Sequence, residues 1–560
     1  MITLGINRTN HHGAVALLKD NEVIFFIESE RLSNIKYDRS VFQAINEIKK
    51  YTNYIDNLVL TGVEPTQKYE SFITNNVYTA MVLALNKSFL DHDFMVYDYW
   101  FNHHAMHAAT AFYNSGFEDA LCIVKDAMGS DYYFNTKEIS NGYGRESSSS
   151  FIIKYPAEIE TIDKKIISSL KLENNLTDIG NNVFITNSVS EGTAFDTVSE
   201  KFGLGFMAAG KLMGMSSYGK ENKKNPPIYK DGAINKDLFK INNKDFRYVD
   251  FNLNFENNFK SKADFAYSLQ KEIQKNVAEE IITKLKQTGQ KNLCLSGGFF
   301  LNCVSNYYLL KKLPKEVNIY VEPISNDSGN AIGAAKLLYY NSTKSKEILK
   351  QKNIYYGPKY NYSKNDLKNE NYVENVKPKD VAKLISEKNI VAIYQGRSEA
   401  GPRALGNRSI LYDPRDPNGK DHVNIVKQRE WFRPFAGSVL KEEAKKWFDL
   451  KSLDESKFMM FAVDVLKDKQ SLIPAITHVD GTCRIQTVSR EDNENFYDLI
   501  KEFHKITDVP ILFNTSFNLA GNTIVETLED AIWTLKNSKI NYLYLPEMSV
   551  LIKNPNDIIN

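Results

Sequence analysis

His103 and His107 stand four residues apart in HHAMHAATAFY, an alanine-rich stretch of helical character that closes at Gly116. That spacing puts both imidazoles on one helix face, where their nitrogens can share one metal ion. A solvated histidine face has the same spacing, so on spacing alone both readings stay open. Two carboxylates bear on the choice: Asp126 ends the apolar run ALCIVKD, and Asp327 sits in a glycine-flanked loop after a later strand. Strand ends in α/β folds gather at one sheet edge, where ligands bind. Two imidazoles with two carboxylates suit Fe(II), Mn(II) or Zn(II) better than Mg(II) or Cu(I). His104 projects about a hundred degrees away from the pair, toward a substrate phosphate or a group that orients the ligands.

The distribution of residues sharpens this. Of nine histidines, five fall in two clusters, His11 with His12 and the trio at 103–107. Positive charge is written mostly as lysine, yet eight of the thirteen arginines lie between 397 and 490. Lysine suffices for a solvated charge, so these arginines mark positions that use the planar guanidinium on phosphate or carboxylate. Arg403, Lys427, Arg429, Arg433 and Arg484, interleaved with glycine, asparagine and serine, would repel one another if packed without an anion. A multiply charged phosphate resolves that conflict. Gly297-Gly298, Gly210-Lys211-Leu-Met-Gly214 and Asp327-Ser328-Gly329 are loops where backbone amides can approach phosphate. Each alone reads equally as a turn, and their sum points to a nucleotide cleft.

With 560 residues, 42% hydrophobic and 25% charged, the chain is multidomain and globular. A formal net charge of +1 provides no global field toward nucleic acid or an anionic membrane. Cys122, Cys294, Cys303 and Cys483 form no C-x-x-C pair and read as reduced structural thiols. No stretch nears the ~20 apolar residues of a spanning helix, and the start has no signal-peptide pattern, so a cytoplasmic location is expected.

Apolar runs at 2–6, 14–19 and 22–28 open the chain as a β-meander, and alternating strands and helices then predict an α/β core. The polar, serine-rich stretch 135–180 reads as an insertion. Residues 346–376 read as a linker between a domain at 1–345 and a second α/β domain at 377–560.

Taken together, these residues resemble the NodU/CmcH-type O-carbamoyltransferases. The likeness runs through the His11 element, Glu28-Ser-Glu30-Arg31 with Lys36, the 103–107 and Asp126 elements and GKLMGMSSYG at 210–219. It continues through LSGGFFLNCVSN at 295–306, GPRALGNRS at 401–409, REWFRPFA at 429–436, HVDGTCRIQTV at 478–488 and NTSFN at 514–518. The resemblance implies a duplicated actin-like ATPase domain followed by a YrdC-like domain. It implies that the second domain makes carbamoyl-AMP from carbamoyl phosphate and ATP, and that the first transfers the carbamoyl group to a hydroxyl of a small molecule or sugar, as in antibiotic biosynthesis. It further implies a metal, iron by preference, on His103, His107, Asp126 and Asp327, with Mg(II) accompanying ATP. His11 is then the general base, and His104, Gly210, Lys211, Gly214, Gly297, Gly298, Asn302 and Ser328 face nucleotide. Arg403, Lys427, Arg429, Arg433, Arg484, Asn514 and Ser516 hold carbamoyl phosphate and ATP. The chain departs from the family's His-Asp pair by carrying His12 and Gly13 after His11, and from Asp-Gly-x-Gly by Asp126-Ala-Met-Gly129. Competing readings are a tRNA threonylcarbamoyl-type modification enzyme, which the neutral charge disfavours, and a non-catalytic nucleotide-binding regulator.

Overall fold

The computed structural model describes residues 1–63, 77–89, 92–135, 141–170, 172, 176–242, 248–253 and 255–556. They form two compact units. The first comprises Met1–Ser29 and Arg39–Gln351, the second Glu30–Asp38 and Lys352–Asn560.

In the first unit, the apolar opening runs become β1 (Ile2–Arg8), β2 (Gly13–Lys19) and β3 (Glu22–Glu28), an antiparallel meander. β4 (Asn57–Gly62) joins parallel to β1, and β5 (Met95–Asp98) parallel to β4. The sheet order is β3-β2-β1-β4-β5. β1 and β2 are buried along almost their whole length, which is why apolar residues stand at consecutive positions in β2 rather than alternating.

A second sheet repeats this plan. It contains β6 (Asp119–Lys125), β7 (Asp131–Phe134), β8 (Gly142–Lys154), β9 (Glu158–Ile167), β10 (Thr177–Asp178) and β11 (Val183–Thr186). Two small hairpins follow, β12 (Tyr229–Lys230) with β13 (Ala233–Ile234), and β14 (Phe239–Ile241) with β15 (Val249–Phe251). β16 (Asn292–Ser296) and β17 (Asn318–Val321) complete the sheet. Here β6, β8 and β9 are the antiparallel meander, while β16 adds parallel to β6 and β17 to β16. The order β9-β8-β6-β16-β17 reproduces β3-β2-β1-β4-β5 strand for strand. That doubled connectivity is the actin-like ATPase arrangement.

The repeat corrects one expectation. Residues 135–180 are not an insertion, because β8 and β9 are the second and third strands of the repeated meander. Their serines disguise them: the buried hydroxyls of Ser149 and Ser150 meet His104 and Asp163, and that of Ser147 donates to the Lys165 carbonyl. A polar strand can sit inside a fold when its hydroxyls are satisfied there.

The helix Asn330–Thr343 packs on β1 and on the helix His103–Ser115, and glycine allows both approaches. A Cβ at Gly5 would fall 2.1 Å from the Ala331 carbonyl oxygen, and one at Gly333 would fall 2.3 Å from that of Met106. Gly5→Ala is therefore expected to lower stability by about 1–3 kcal/mol through overpacking, measurable by denaturant unfolding. Thr110 Oγ1 donates to the Gly329 carbonyl at 3.0 Å, tying the Asp327 turn to the histidine helix.

Lys336, on the same helix, is buried and donates to Asn114 Oδ1 at 2.8 Å. Burial lowers its pKa from 10.5 to about 8, against an opposing pull from Glu322. The unfolded chain therefore binds more protons between these values, and stability should rise with pH from about 8 toward 10.5. Lys336→Met should remove about 2 kcal/mol of that rise, read as the wild-type minus variant difference in unfolding free energy between pH 7 and pH 10.

The second unit is built on ten strands: β18 (Tyr372–Glu374), β19 (Val391–Tyr394), β20 (Arg408–Tyr412), β21 (Ala436–Leu440), β22 (Phe448–Asp449), β23 (Ala462–Val465), β24 (Thr482–Val488), β25 (Ile511–Ser516), β26 (Tyr542–Leu545) and β27 (Val550–Lys553). Their order is β18-β27-β26-β19-β20-β25-β21-β24-β23-β22. β18 comes from within 346–376, pairing antiparallel to β27. All four cysteines are buried. Among the described residues, no helix is long and apolar enough to cross a membrane.

Candidate functional site

His103 opens the helix His103–Ser115, and His107 follows one turn later. His103 Nε2 lies 3.4 Å from Asp126 Oδ2 and 3.5 Å from Asp327 Oδ1; His107 Nε2 lies 3.7 and 3.6 Å from the same two atoms. The two Nε2 atoms are 3.1 Å apart, and all four residues are buried. Asp126 follows β6, and Asp327 begins a single turn after β17, so two strand ends and one helix meet here.

The outer nitrogens are held as well. His107 Nδ1 is 3.3 Å from Ser296 Oγ, and His103 Nδ1 is 3.2 Å from the Asn330 side-chain amide. Asn330 Oδ1 is otherwise buried without a hydrogen-bond partner. The atom facing His103 Nδ1 is Asn330 Nδ2, which donates to it.

Electrostatics agree with the donor set. Burial alone would lower the His103 pKa, but Asp126 and Asp327 raise it to about 9. Burial would raise both carboxylates, yet their hydrogen bonds to His103 and His107 hold them well below the usual range. Two anions thus face two imidazoles across a closed space, and a divalent cation would take the place of the imidazole protons. The residues fit such an ion.

The remaining expected residues separate into groups. His104 turns away from the centre: its Nδ1 is 2.8 Å from Ser149 Oγ, and burial lowers its pKa to about 4. A Cβ at Gly129 would lie 2.6 Å from His104 Nε2, so that glycine lets the 126–130 loop close over the ring. His11 lies in the β1–β2 loop, with Nδ1 3.8 Å from Asp327 Oδ2. Gly298 faces Asp126 Oδ1, which would be 3.2 Å from an added Cβ, and Gly297 precedes it with φ of 96°. Ser328 Oγ is buried without a hydrogen-bond partner beside Asp327. Gly210 opens onto free space, Lys211 Nζ donates to the Leu204 carbonyl at 2.8 Å, and Gly214 is buried in the helix Ala209–Ser216. Asn302 caps the helix Cys303–Lys312 by accepting from Ser305 N at 3.0 Å.

Sequence reasoning missed Asp196. Ser190, the N-cap of helix Glu191–Lys201, and Thr193 in its first turn donate to the Ala127 carbonyl. Asp196 is one turn further on that helix, and burial, then the charges of Asp126 and Glu200, raises its carboxyl to about 7.

The cations of the second unit also come together. Lys427 Nζ donates to the Ser516 carbonyl and to Asn518 Oδ1, the latter at 3.0 Å. Burial, then Arg429, Arg433 and Lys36, hold its pKa well below the ordinary value. Arg429 donates to Asn424 Oδ1 at 2.6 Å and lies over the Phe435 ring, and Arg484 Nε is buried without a hydrogen-bond partner. Arg433 lies 3.7 Å from Glu430, the carboxylate that partly offsets the set. Arg403 sits on the loop before β20. Asn514 is fully buried in β25 and donates to Ser438 Oγ at 2.8 Å. The Glu30–Asp38 segment closes this region: Arg31 donates to the carbonyls of Glu399 and Gly401, while Glu399 Oε1 accepts the amides of Leu405, Asn407 and Arg408.

The doubled strand order and buried ligand set define an actin-like ATPase-fold protein with a candidate metal centre. The chain belongs to the carbamoyltransferase family: the model of the carbamoyltransferase N-terminus matches residues 45–336, and that of the C-terminus matches 382–552. It is 31% identical to nodulation protein NolNO of Sinorhizobium fredii, over 98% of this chain and 79% of that protein. It is 32% identical to nodulation protein NolO of Bradyrhizobium diazoefficiens, over 79% of this chain and 77% of that one. Among solved structures, T. kodakarensis HypF aligns over 62% of this chain and 49% of its own, at 14% identity and a TM-score of 0.36, too low to bear on the fold.

Proposed function

We propose that this carbamoyltransferase is an O-carbamoyltransferase working in two half-reactions. The second unit takes carbamoyl phosphate, ATP and one water to carbamoyl-AMP: water takes the phosphoryl group from carbamoyl phosphate as inorganic phosphate, and the carbamate oxygen so freed bonds to the α-phosphorus of ATP as pyrophosphate leaves. Phosphoryl chemistry asks a protein mainly for positioning and charge neutralisation, and the cluster of Lys427, Arg429, Arg433 and Arg484 offers both. The first unit then transfers the carbamoyl group to a hydroxyl of a small molecule or sugar.

In that transfer, the acceptor oxygen bonds to the carbamoyl carbon, the bond to the adenylate oxygen breaks, and AMP leaves. His11 takes the hydroxyl proton, a role an imidazole fills near neutral pH. A divalent ion on His103, His107, Asp126 and Asp327, iron in our reading, would supply positive charge for the adenylate phosphate. Ser328 and the Gly297-Gly298 turn position the nucleotide beside it.

One observation supports this reading: a chain of the carbamoyltransferase family has buried Lys427 close to other cations and also groups His103, His107, Asp126 and Asp327 within reach of one ion. The test is pyrophosphate release from purified protein with ATP, with and without carbamoyl phosphate, while trapping carbamoyl-AMP. Release that depends on carbamoyl phosphate is expected. ATP binding with no such release would overturn the first half-reaction.

A further inference from the structure

Moving the phosphoryl group of carbamoyl phosphate onto water asks for more than cations. Water is a weak nucleophile until a base takes its proton, and a base with a pKa near neutrality does this best. Imidazole is the side chain that meets the requirement. The second unit has three histidines, His422, His478 and His504. His422 Nδ1 lies 3.2 Å from Tyr412 Oη, and His504 sits in the last turn of the helix Glu494–Thr507.

His478 stands at the turn that leads into β24, with Asp480 beside it. His478 N donates to the Thr482 carbonyl at 2.8 Å and Gly481 N donates to the His478 carbonyl at 2.9 Å, so the turn is fixed by its own backbone. Asp480 Oδ1 accepts from the Thr482 hydroxyl at 2.7 Å and from the Thr482 amide at 3.1 Å, and it faces His478 Nδ1 at 3.6 Å. Burial opposes the charge on Asp480, yet His478 and then Thr482 hold its carboxyl well below the usual range. A carboxylate can only accept, so Nδ1 carries the imidazole proton and the lone pair stands on Nε2.

This pair shares a strand face with the cation cluster. Thr482, Arg484 and Gln486 alternate along β24 and therefore point to one side of the sheet, with Arg484 about 7 Å beyond Thr482. Gln486 Oε1, next on that face, accepts from Asn514 Nδ2 at 3.3 Å. Burial, then the charges of Arg433 and Arg484, lower the pKa of Arg429, so Arg484 links the His478 turn to the other arginines. We propose that His478 Nε2 is the base of the hydrolytic step. The water oxygen bonds to phosphorus, the bond from phosphorus to the carbamoyl oxygen breaks, its electron pair leaves with carbamate, and the water proton passes to Nε2. Asp480 orients the ring and offsets the imidazolium charge that forms.

This role rests on the two-half-reaction reading above, and carbamate separates the two. Freshly dissolved ammonium carbamate enters after the hydrolytic step, so pyrophosphate release from carbamate and ATP needs the cations but no base for water. In the full-length protein, His478→Gln should slow pyrophosphate release from carbamoyl phosphate and ATP by about 100-fold or more, while release from carbamate and ATP stays near wild type. Asp480→Asn, which keeps the imidazole and removes its anionic partner, should lower the first rate and spare the second. A wild-type rate for His478→Gln with carbamoyl phosphate would overturn the proposal. So would an equal fall with both donors in both variants, which would assign the pair to adenylate formation or to the fold. Wild-type protein that releases pyrophosphate with carbamate but not with carbamoyl phosphate would remove the hydrolytic step, and this role with it. Wild-type protein inactive with both donors would overturn the first half-reaction itself.

Discussion

Lys427→Met should slow carbamoyl-phosphate-dependent pyrophosphate release by about 100-fold or more, the usual cost of removing one charge donor from a preorganised site. Lys427 is buried, and three cations, Arg429, Arg433 and Lys36, depress its pKa. Such a group is held among like charges at a cost, and a bound polyanion turns that cost into binding energy. Lys446→Met, removing an exposed lysine paired with Glu443, should leave the rate unchanged and serves as the control. Equal rates for Lys427→Met and wild type would remove the cluster from the first half-reaction.

His103→Ala should lose the ion of the four-ligand centre and slow carbamoyl transfer by about 100-fold or more, while pyrophosphate release stays near wild type. His103 touches both carboxylates of the set, so its loss leaves Asp126 and Asp327 facing each other with one imidazole between them. Metal content by elemental analysis and the two half-reactions assayed separately give the result. A matching fall in pyrophosphate release would sink the division of labour between the units.

The grouping of His103, His107, Asp126 and Asp327 was legible because each side chain sits where local structure dictates its direction. A helix puts residues four apart on one face, and strand ends in a doubled α/β fold share an edge. The first meander was legible for a related reason: β1 and β2 are buried along almost their whole length, and apart from Thr3, Asn7, Arg8 and Lys19 their residues are apolar or glycine. Its repeat was hidden because β8 meets buried partners with hydroxyls instead of methyl groups, which hydropathy cannot distinguish from a loop. His104 shows the limit from another side. Its direction away from His103 followed from helix geometry, but its enclosure under Gly129 depends on a loop closing over it. Asp196 lies further still from reach, since its raised pKa comes first from burial and then from Asp126, seventy positions earlier. Asn302, expected to face nucleotide, uses its side-chain oxygen to cap the helix Cys303–Lys312.

Glu30–Asp38 belongs to the second unit although residues of the first flank it on both sides. Its anchor, Arg31, donates to the carbonyls of Glu399 and Gly401, made more than 360 positions later. At ribosomal speeds of about 5–20 residues per second, that interval is roughly 20–70 s. For that time the segment hangs as an unsatisfied loop from a meander whose strands are already in place. The second unit cannot mature as an autonomous tail, because a fragment begun after the first unit would lack the guanidinium that closes the 399–408 loop. Synthesis therefore orders assembly: the amino-terminal unit forms early, holds out one strap, and the last-made unit folds onto it.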